Sequence, residues 1–272
     1  MAVRSPILNV MIRAAEKAAK GLVRDFGELE QLQVSVKGVS DFVSQADLKA
    51  EQIIRAELSK ARPGFGFLLE EGGEIAGDGQ HRWIVDPLDG TTNFLHGIPH
   101  FATSIALEKD GEIIAGLIFN PVTNELFTAE KGGGSYFSGR RMRVSSRRKL
   151  DESVIATGIP HKGRGNHADY LPQIERVMAQ TAGVRRFGSA ALDLAWVAAG
   201  RYDGFWEWGL KPWDVAAGWL MVKEAGGYIS GIEGKDPIAT GDMVASNEPL
   251  HYALLKLVKG SSAPLKSAGA SD

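Results

Sequence analysis

Near residue 150 the hydrophobic pattern of this chain changes period, and that change narrows the folds open to it. Upstream, residues 65–69 and Arg82-Trp83-Ile84-Val85 read as buried strands, and 100–128 as two or three antiparallel strands. Lys109-Asp110-Gly111-Glu112 joins the first pair, and the stretch from Asn120-Pro121 to Asn124 joins the next. Downstream, short β-like runs at 153–157, 184–187, 203–207, 227–230 and 243–246 alternate with helical stretches near 166–181, 189–199, 213–225 and 248–258. Gly200 and Gly226-Gly227 are placed to stop two of those helices. The first half, 1–148, therefore reads as α+β with an antiparallel sheet, and the second, 149–260, as α/β. No Pro- or Ser-rich linker separates them, so one compact functional unit is expected, with 261–272 as a frayed tail.

Two helices open the chain. Ser5 caps the first and Pro6 takes its first position; Leu8, Met11, Ile12, Ala15, Ala19 and Leu22 recur at helical spacing to about Arg24. The second begins at Ser44, where Ser44 and Asp47 approximate a capping box, and ends before Pro63-Gly64. The N-terminal segment keeps charges throughout, so no secretory signal is expected. No run of eighteen apolar residues exists, so no membrane span is expected. Cysteine is absent, which excludes disulfides, thiolate metal sites and a cysteine nucleophile, and suits the cytoplasm.

The formal charge of −2 disfavours a protein built mainly for nucleic acid. One local exception stands out: Arg140 to Lys149 packs six basic side chains into ten positions. Such a run reads either as a solvated edge segment or as a contact patch for RNA or another anion.

The chemistry concentrates in Trp83-Ile84-Val85-Asp86-Pro87-Leu88-Asp89-Gly90-Thr91-Thr92-Asn93. An apolar strand delivers Asp86 at its end, and Asp89 follows three positions later. Two carboxylates this close repel unless a cation lies between them, and hard divalent cations take oxygen ligands. Gly90-Thr91-Thr92 adds small residues and backbone N–H groups that could cradle an anion. By themselves these residues read equally well as a strand end followed by two turns. Glu70-Glu71-Gly72 is also acidic at a strand end, and Asp214 sits near a helix start after Pro212-Trp213. His96 and His100 flank Gly97-Ile98-Pro99, and a structural place or one supporting the site's ligands from behind is expected rather than a metal or acid/base role.

The combination resembles the inositol monophosphatase family. The match is close at Leu69-Glu70-Glu71-Gly72, at 83–101 and at Pro212-Trp213-Asp214-Val215-Ala216-Ala217-Gly218. It continues more weakly through Lys37, Asp41 and Asp47, through Gly188-Ser189-Ala190 and through Glu224-Ala225-Gly226-Gly227, spanning about 5–258. The resemblance implies a layered αβαβα sandwich, a homodimer, inhibition by Li⁺, and two to three Mg²⁺ ions per active site. Glu70, Asp86 and the Leu88 carbonyl would hold the first ion. Asp86, Asp89 and Asp214 would hold the second, and a third, looser ion would lean on Glu70 through waters. Thr91 and Asp47, with Glu70, would form the catalytic set, the first two orienting the attacking water. The substrate site would comprise Asp89, Gly90, Thr91, Gly188, Ser189, Ala190, Glu207 and Asp214. Of these, the N–H groups of Gly90 and Thr91 would hold the phosphate, and Glu207 would line a sugar or cyclitol pocket. His161-Lys162-Gly163-Arg164 follows a strand and is expected to face the same region, without an assigned role.

These implications give hydrolysis of myo-inositol monophosphate as the leading expectation. A broader phosphatase for fructose bisphosphate, histidinol phosphate or nucleotide phosphates is the alternative among enzymes. A protein that binds RNA or transcription machinery, with catalysis secondary, is the alternative outside them, and rests on the Arg140–Lys149 cluster alone.

Overall fold

The computed structural model describes residues 5–28, 34–36, 42–161 and 165–260. Lys37, Asp41, the segment 162–164, the tail 261–272 and the side chain of Ser44 lie outside the described residues.

The chain begins with helix α1 (Pro6–Gly27), capped by Ser5 Oγ accepting from Leu8 N, followed by β1 (Val34–Val36), β2 (Phe42–Ser44) and α2 (Gln45–Ala61). Next come β3 (Gly66–Leu69), β4 (Gly73–Ile75), β5 (His81–Asp89), the short helix α3 (Thr91–Leu95), β6 (Ala102–Lys109), β7 (Glu112–Asn120), β8 (Glu125–Glu130), β9 (Gly134–Phe137) and β10 (Arg140–Arg141). These strands form one sheet in the order β10-β9-β8-β7-β6-β5-β3-β4. Only β3 and β5 run parallel in it. The antiparallel run thus continues past 128 through a β9–β10 pair, so Arg140 and Arg141 form an exposed edge strand.

The remaining elements are β11 (Val154–Thr157), α4 (His167–Met178), β12 (Gly183–Arg185), α5 (Ala190–Ala198), β13 (Gly204–Glu207), α6 (Pro212–Glu224), β14 (Tyr228–Gly231), α7 (Pro237–Thr240), β15 (Met243–Ser246) and α8 (Glu248–Lys259). Their sheet has the order β12-β11-β13-β15-β14, parallel across β12, β11 and β13 and antiparallel beyond.

Alternation along the strands assigns the layers. On β5, Trp83 and Val85 face the cluster formed by α1 and α2, while Ile84 between them faces the opposite cluster. That second cluster contains α5 and α6, and on its far side Ala156, Phe205 and Ala245 of the smaller sheet. The smaller sheet turns Ile155, Trp206 and Val244 outward onto Tyr170 and Val177 of α4 and Leu254 and Val258 of α8. The order is α1/α2, large sheet, α5/α6, small sheet, α4/α8: five layers, αβαβα. Being covered on both sides makes α5 and α6 nearly continuously apolar, with Ala, Leu, Val and Met dominating their buried positions.

Candidate active site

The site begins with a defect in β5. Asp86 pairs with Ser104 of β6, but the next pair is Asp89 with Ala102, so β5 carries one extra residue there. Pro87, at this bulge, has no N–H to give to the ladder. The freed groups find other partners: Pro87 O accepts from Thr103 Oγ1 at 2.9 Å, and Leu88 N donates to Asp86 Oδ1 at 2.8 Å. Leu88 O accepts from Thr91 Oγ1 at 3.0 Å. Gly90 then turns the chain at φ 97°, a left-handed conformation that suits glycine. A Cβ there would also lie 3.0 Å from His100 O and 3.3 Å from Gly188 O, so the turn has no room for a side chain.

Other elements bring the remaining acids to this turn. Glu70 follows β3, and its N–H donates to Val85 O at 3.2 Å, extending the parallel pairing beside Asp86. Asp214 sits in the first turn of α6, where its Oδ2 accepts from Lys211 N at 2.8 Å. Ser104 Oγ holds that helix start to β6 by donating to Trp213 O at 3.1 Å. Asp89 Oδ2 accepts from Ser189 Oγ at 2.6 Å and Ala191 N at 2.8 Å, joining the bulge to the start of α5. Asp47, in the first turn of α2, is buried, and its carboxylate, with those of Glu70 and Glu71, places oxygens within 4.8 Å of one another.

Glu70, Asp86, Leu88, Asp89, Gly90, Thr91, Gly188, Ser189, Ala190, Glu207 and Asp214 line a single cavity of about 780 Å³. Asp47 joins through Glu70 and Glu71 rather than by lining the cavity. The electrostatics of the acids are extreme. Glu70 is pushed up to about 8, first by burial and then by the charges of Asp214, Glu71 and Asp89, against a hydrogen bond with Asp86 that lowers it. Asp86 is held well above the usual carboxylate range by burial and by Glu70, Asp89, Asp214 and Asp47. A set of mutually repelling oxygen donors, with Asp86 buried and the others partly so, fits a hard divalent cation, which would relieve both the desolvation and the repulsion.

A family model described as the inositol monophosphatase family matches residues 3–263. This chain belongs to the inositol monophosphatase family. A Mesorhizobium japonicum protein named inositol-1-monophosphatase is 62% identical over 258 residues, 94% of this chain and 97% of that protein. A Pseudomonas aeruginosa protein named Nus factor SuhB is 45% identical over 260 residues, 93% of this chain and 96% of that protein. The crystal structure of the extragenic suppressor protein suhB from Bartonella henselae superimposes with a TM-score of 0.92 at 59% identity, covering 95% of this chain and all of that one.

Around this site stand residues to which the sequence assigned no role. Glu71 lies with Asp47 and Glu70. Asn93, buried, donates from Nδ2 to His100 O and to Phe187 O, both at 2.7 Å, and so holds the Gly90 turn to the loop before α5. Asp193 lines the cavity from the apolar helix α5; it is buried, its Oδ1 has no hydrogen-bond partner, and burial with the charges of Glu207 and Asp89 holds it well above the usual range. A lone acid in a run such as Ala190-Ala191-Leu192-Asp193-Leu194-Ala195 was the available signal. His161 lines the cavity, while His96 is exposed at the end of α3. His100 packs on Phe187 and Trp196 and is pushed down to about 4 by burial. Within the basic cluster, Arg147 pairs with Asp203 at 3.2 Å and Lys149 with Glu152 at 3.2 Å.

Proposed function

We propose that this protein is a Mg²⁺-dependent phosphomonoesterase that hydrolyses myo-inositol monophosphate to inositol and phosphate. The observation that carries the reading is the mutually repelling set of buried Asp86 and partly buried Glu70, Asp89 and Asp214 beside the Gly90 turn. Glu70, Asp86 and the Leu88 carbonyl would hold one ion and Asp86, Asp89 and Asp214 another, with Glu70 supporting a third through water. When bound, the ions would neutralise charge on the phosphate and make a bound water more acidic. Thr91 is already turned toward the metal side by its bond to Leu88 O. Its hydroxyl oxygen would accept a hydrogen bond from the attacking water and orient it, with the Asp47 carboxylate as the base that takes up the proton. The N–H groups of Gly90 and Thr91 hold the phosphate, and no phosphorylated side chain is required. Gly188, Ser189, Ala190 and Glu207 border the polyol, and a carboxylate such as Glu207 accepts from two adjacent hydroxyls.

The family resemblance further supports Li⁺ inhibition, a cytoplasmic location and a homodimer. Among the described residues no helix is long and apolar enough to cross a membrane. Exposed Ile98 and Phe187 beside His100 suit a dimer face. Segments 1–148 and 149–260 act as one unit in this reading, because the site draws on both.

The test is phosphate release from a panel of cyclitol, sugar and nucleotide monophosphates, fructose bisphosphate and histidinol phosphate, with and without Mg²⁺ and Li⁺. Inositol 1-phosphate is expected to be turned over best, only with Mg²⁺, and Asp89→Asn to abolish nearly all turnover while the fold survives. Wild-type turnover by that variant would remove the site assignment. A better sugar phosphate substrate would support the broader phosphatase.

A second reading draws on the relative named Nus factor SuhB and on the exposed Arg140–Arg141 edge with Arg147, Arg148 and Lys149. Here the protein contacts RNA or transcription machinery. Salt-sensitive RNA binding lost on neutralising Arg147, Arg148 and Lys149 supports it; no binding at low salt removes it.

A further inference from the structure

Gly158 follows β11, and Thr157 pairs with Trp206 of the parallel strand β13, so Gly158 and Glu207 are the next positions along the two strands. Two ordinary residues at such neighbouring positions would stand side by side. Here the Glu207 side chain instead folds across onto the glycine. A Cβ built on Gly158 would lie 2.0 Å from Glu207 Cδ, 2.0 Å from Oε1 and 2.4 Å from Oε2. The carboxylate therefore fills the volume in which any other side chain at 158 would begin. Gly158 is not among the positive-φ glycines, so its backbone does not demand glycine; the Glu207 carboxylate does. Both residues line the cavity together with Tyr170 and Asp193. The charge of Glu207 acts on both neighbours: it raises Asp193 and contributes to the rise of Tyr170 to about 12, which burial dominates. The tyrosine in turn is 2.7 Å from Thr157 Oγ1.

We propose that Gly158 is a specificity-determining positioning residue, which seats the Glu207 carboxylate where it accepts hydrogen bonds from two adjacent hydroxyls of the substrate. This rests on the phosphatase reading and on the place of Glu207 in it. A half-buried carboxylate held with both oxygens against a bare Cα has its orientation constrained by shape. A methyl group at 158 displaces that orientation while asking little of the fold, because the atoms it meets are the far end of a flexible side chain.

The experiment compares wild type, Gly158→Ala, Glu207→Ala and the double variant with saturating Mg²⁺, on myo-inositol 1-phosphate and on p-nitrophenyl phosphate, which lacks hydroxyls. Gly158→Ala is expected to lose about 10- to 100-fold in kcat/KM on inositol 1-phosphate, mainly through KM, and less than about threefold on the aryl ester. In the Glu207→Ala background the same change is expected to cost less than about twofold, because the contested volume is empty. A crystal structure of Gly158→Ala is expected to show the carboxylate displaced with the strands in place. Equal losses on both esters, or the same loss with and without the Glu207 carboxylate, overturns the proposal. If Gly158→Ala alone fails to fold, folding of the double variant supports the shared volume and its failure refutes it. Inactivity of wild type on every ester would instead sink the phosphatase reading, and the crystal structure would still decide whether Gly158 seats Glu207.

Discussion

Replacing Glu70 by Gln is expected to stabilise the metal-free protein, although Glu70 belongs to the proposed catalytic apparatus. Glu70 rises from an ordinary 4.5 to about 8 in the folded chain, with burial the largest cause and Asp214 next. Unfolded, it ionises near 4.3. Between those values the folded state holds a proton that the unfolded state has released, so stability falls as pH rises. At pH 7 this costs at most about 4 kcal/mol, at roughly 1.4 kcal/mol per pH interval above 4.3. Asp86 shares a hydrogen bond with Glu70 and would take up part of any relief, so a net gain of about 1–2 kcal/mol is expected. The Gln amide keeps a group able to donate to or accept from Asp86 but cannot ionise in either state. In thermal melts with EDTA at pH 7.5, Glu70→Gln should therefore melt about 3–6 °C above wild type. The gap should close as pH falls toward 4.5. With Mg²⁺ the order should reverse, because the cation stabilises the ionised cluster and Gln is a poorer ligand. A metal-free variant that melts below wild type at pH 7.5, or a gap independent of pH, would refute the electrostatic account.

Asp193→Asn should behave in the same sense without touching metal. Its folded value lies well above the ordinary one, so its melting temperature relative to wild type should climb from pH 4 to pH 8. Parallel melting curves would show that burial at 193 carries no such cost. Asn93→Ala leaves the carbonyls of His100 and Phe187 without their 2.7 Å donor. It should cost about 2–4 kcal/mol in urea unfolding, and a loss under 1 kcal/mol would mean the two loops are held by other contacts. Ser189→Ala removes the 2.6 Å donor to Asp89 Oδ2 but leaves Ala191 N in place, so turnover should fall far less than in Asp89→Asn. Equal losses in the two would make Ser189 the principal support of Asp89.

The strands and helices were readable because burial leaves a periodic trace, and the family resemblance ordered them into layers. The strands at 154–157, 204–207 and 243–246 and the helices between them appeared as short apolar runs broken by glycine. The acids at 70, 86, 89 and 214 were readable as separate features, each with an unremarkable reading, and the family resemblance joined them. What stayed hidden depends on register or on distant contact. The extra residue in β5 appears only once β6 is laid beside it. The β9–β10 pair was missed because its strands are four and two residues long. Gly158 and Glu207 look like a loop glycine and a strand-end acid until two parallel strands place them together. The expected pairing of Ser44 with Asp47 falls on a side chain outside the described residues.

Asp89 is held by Ser189 and Ala191, partners 100 and 102 positions later in the chain. During synthesis, at about 5–20 residues per second, the Asp86–Asp89 turn leaves the ribosome several seconds before the groups that will orient it. Asp214 arrives later still. A truncated chain ending before α5 therefore lacks both Asp214 and the groups that hold Asp89, and one ending before α6 still lacks Asp214. Phosphatase activity in this protein should appear only at the end of folding, which makes it a direct readout of when the last layers dock.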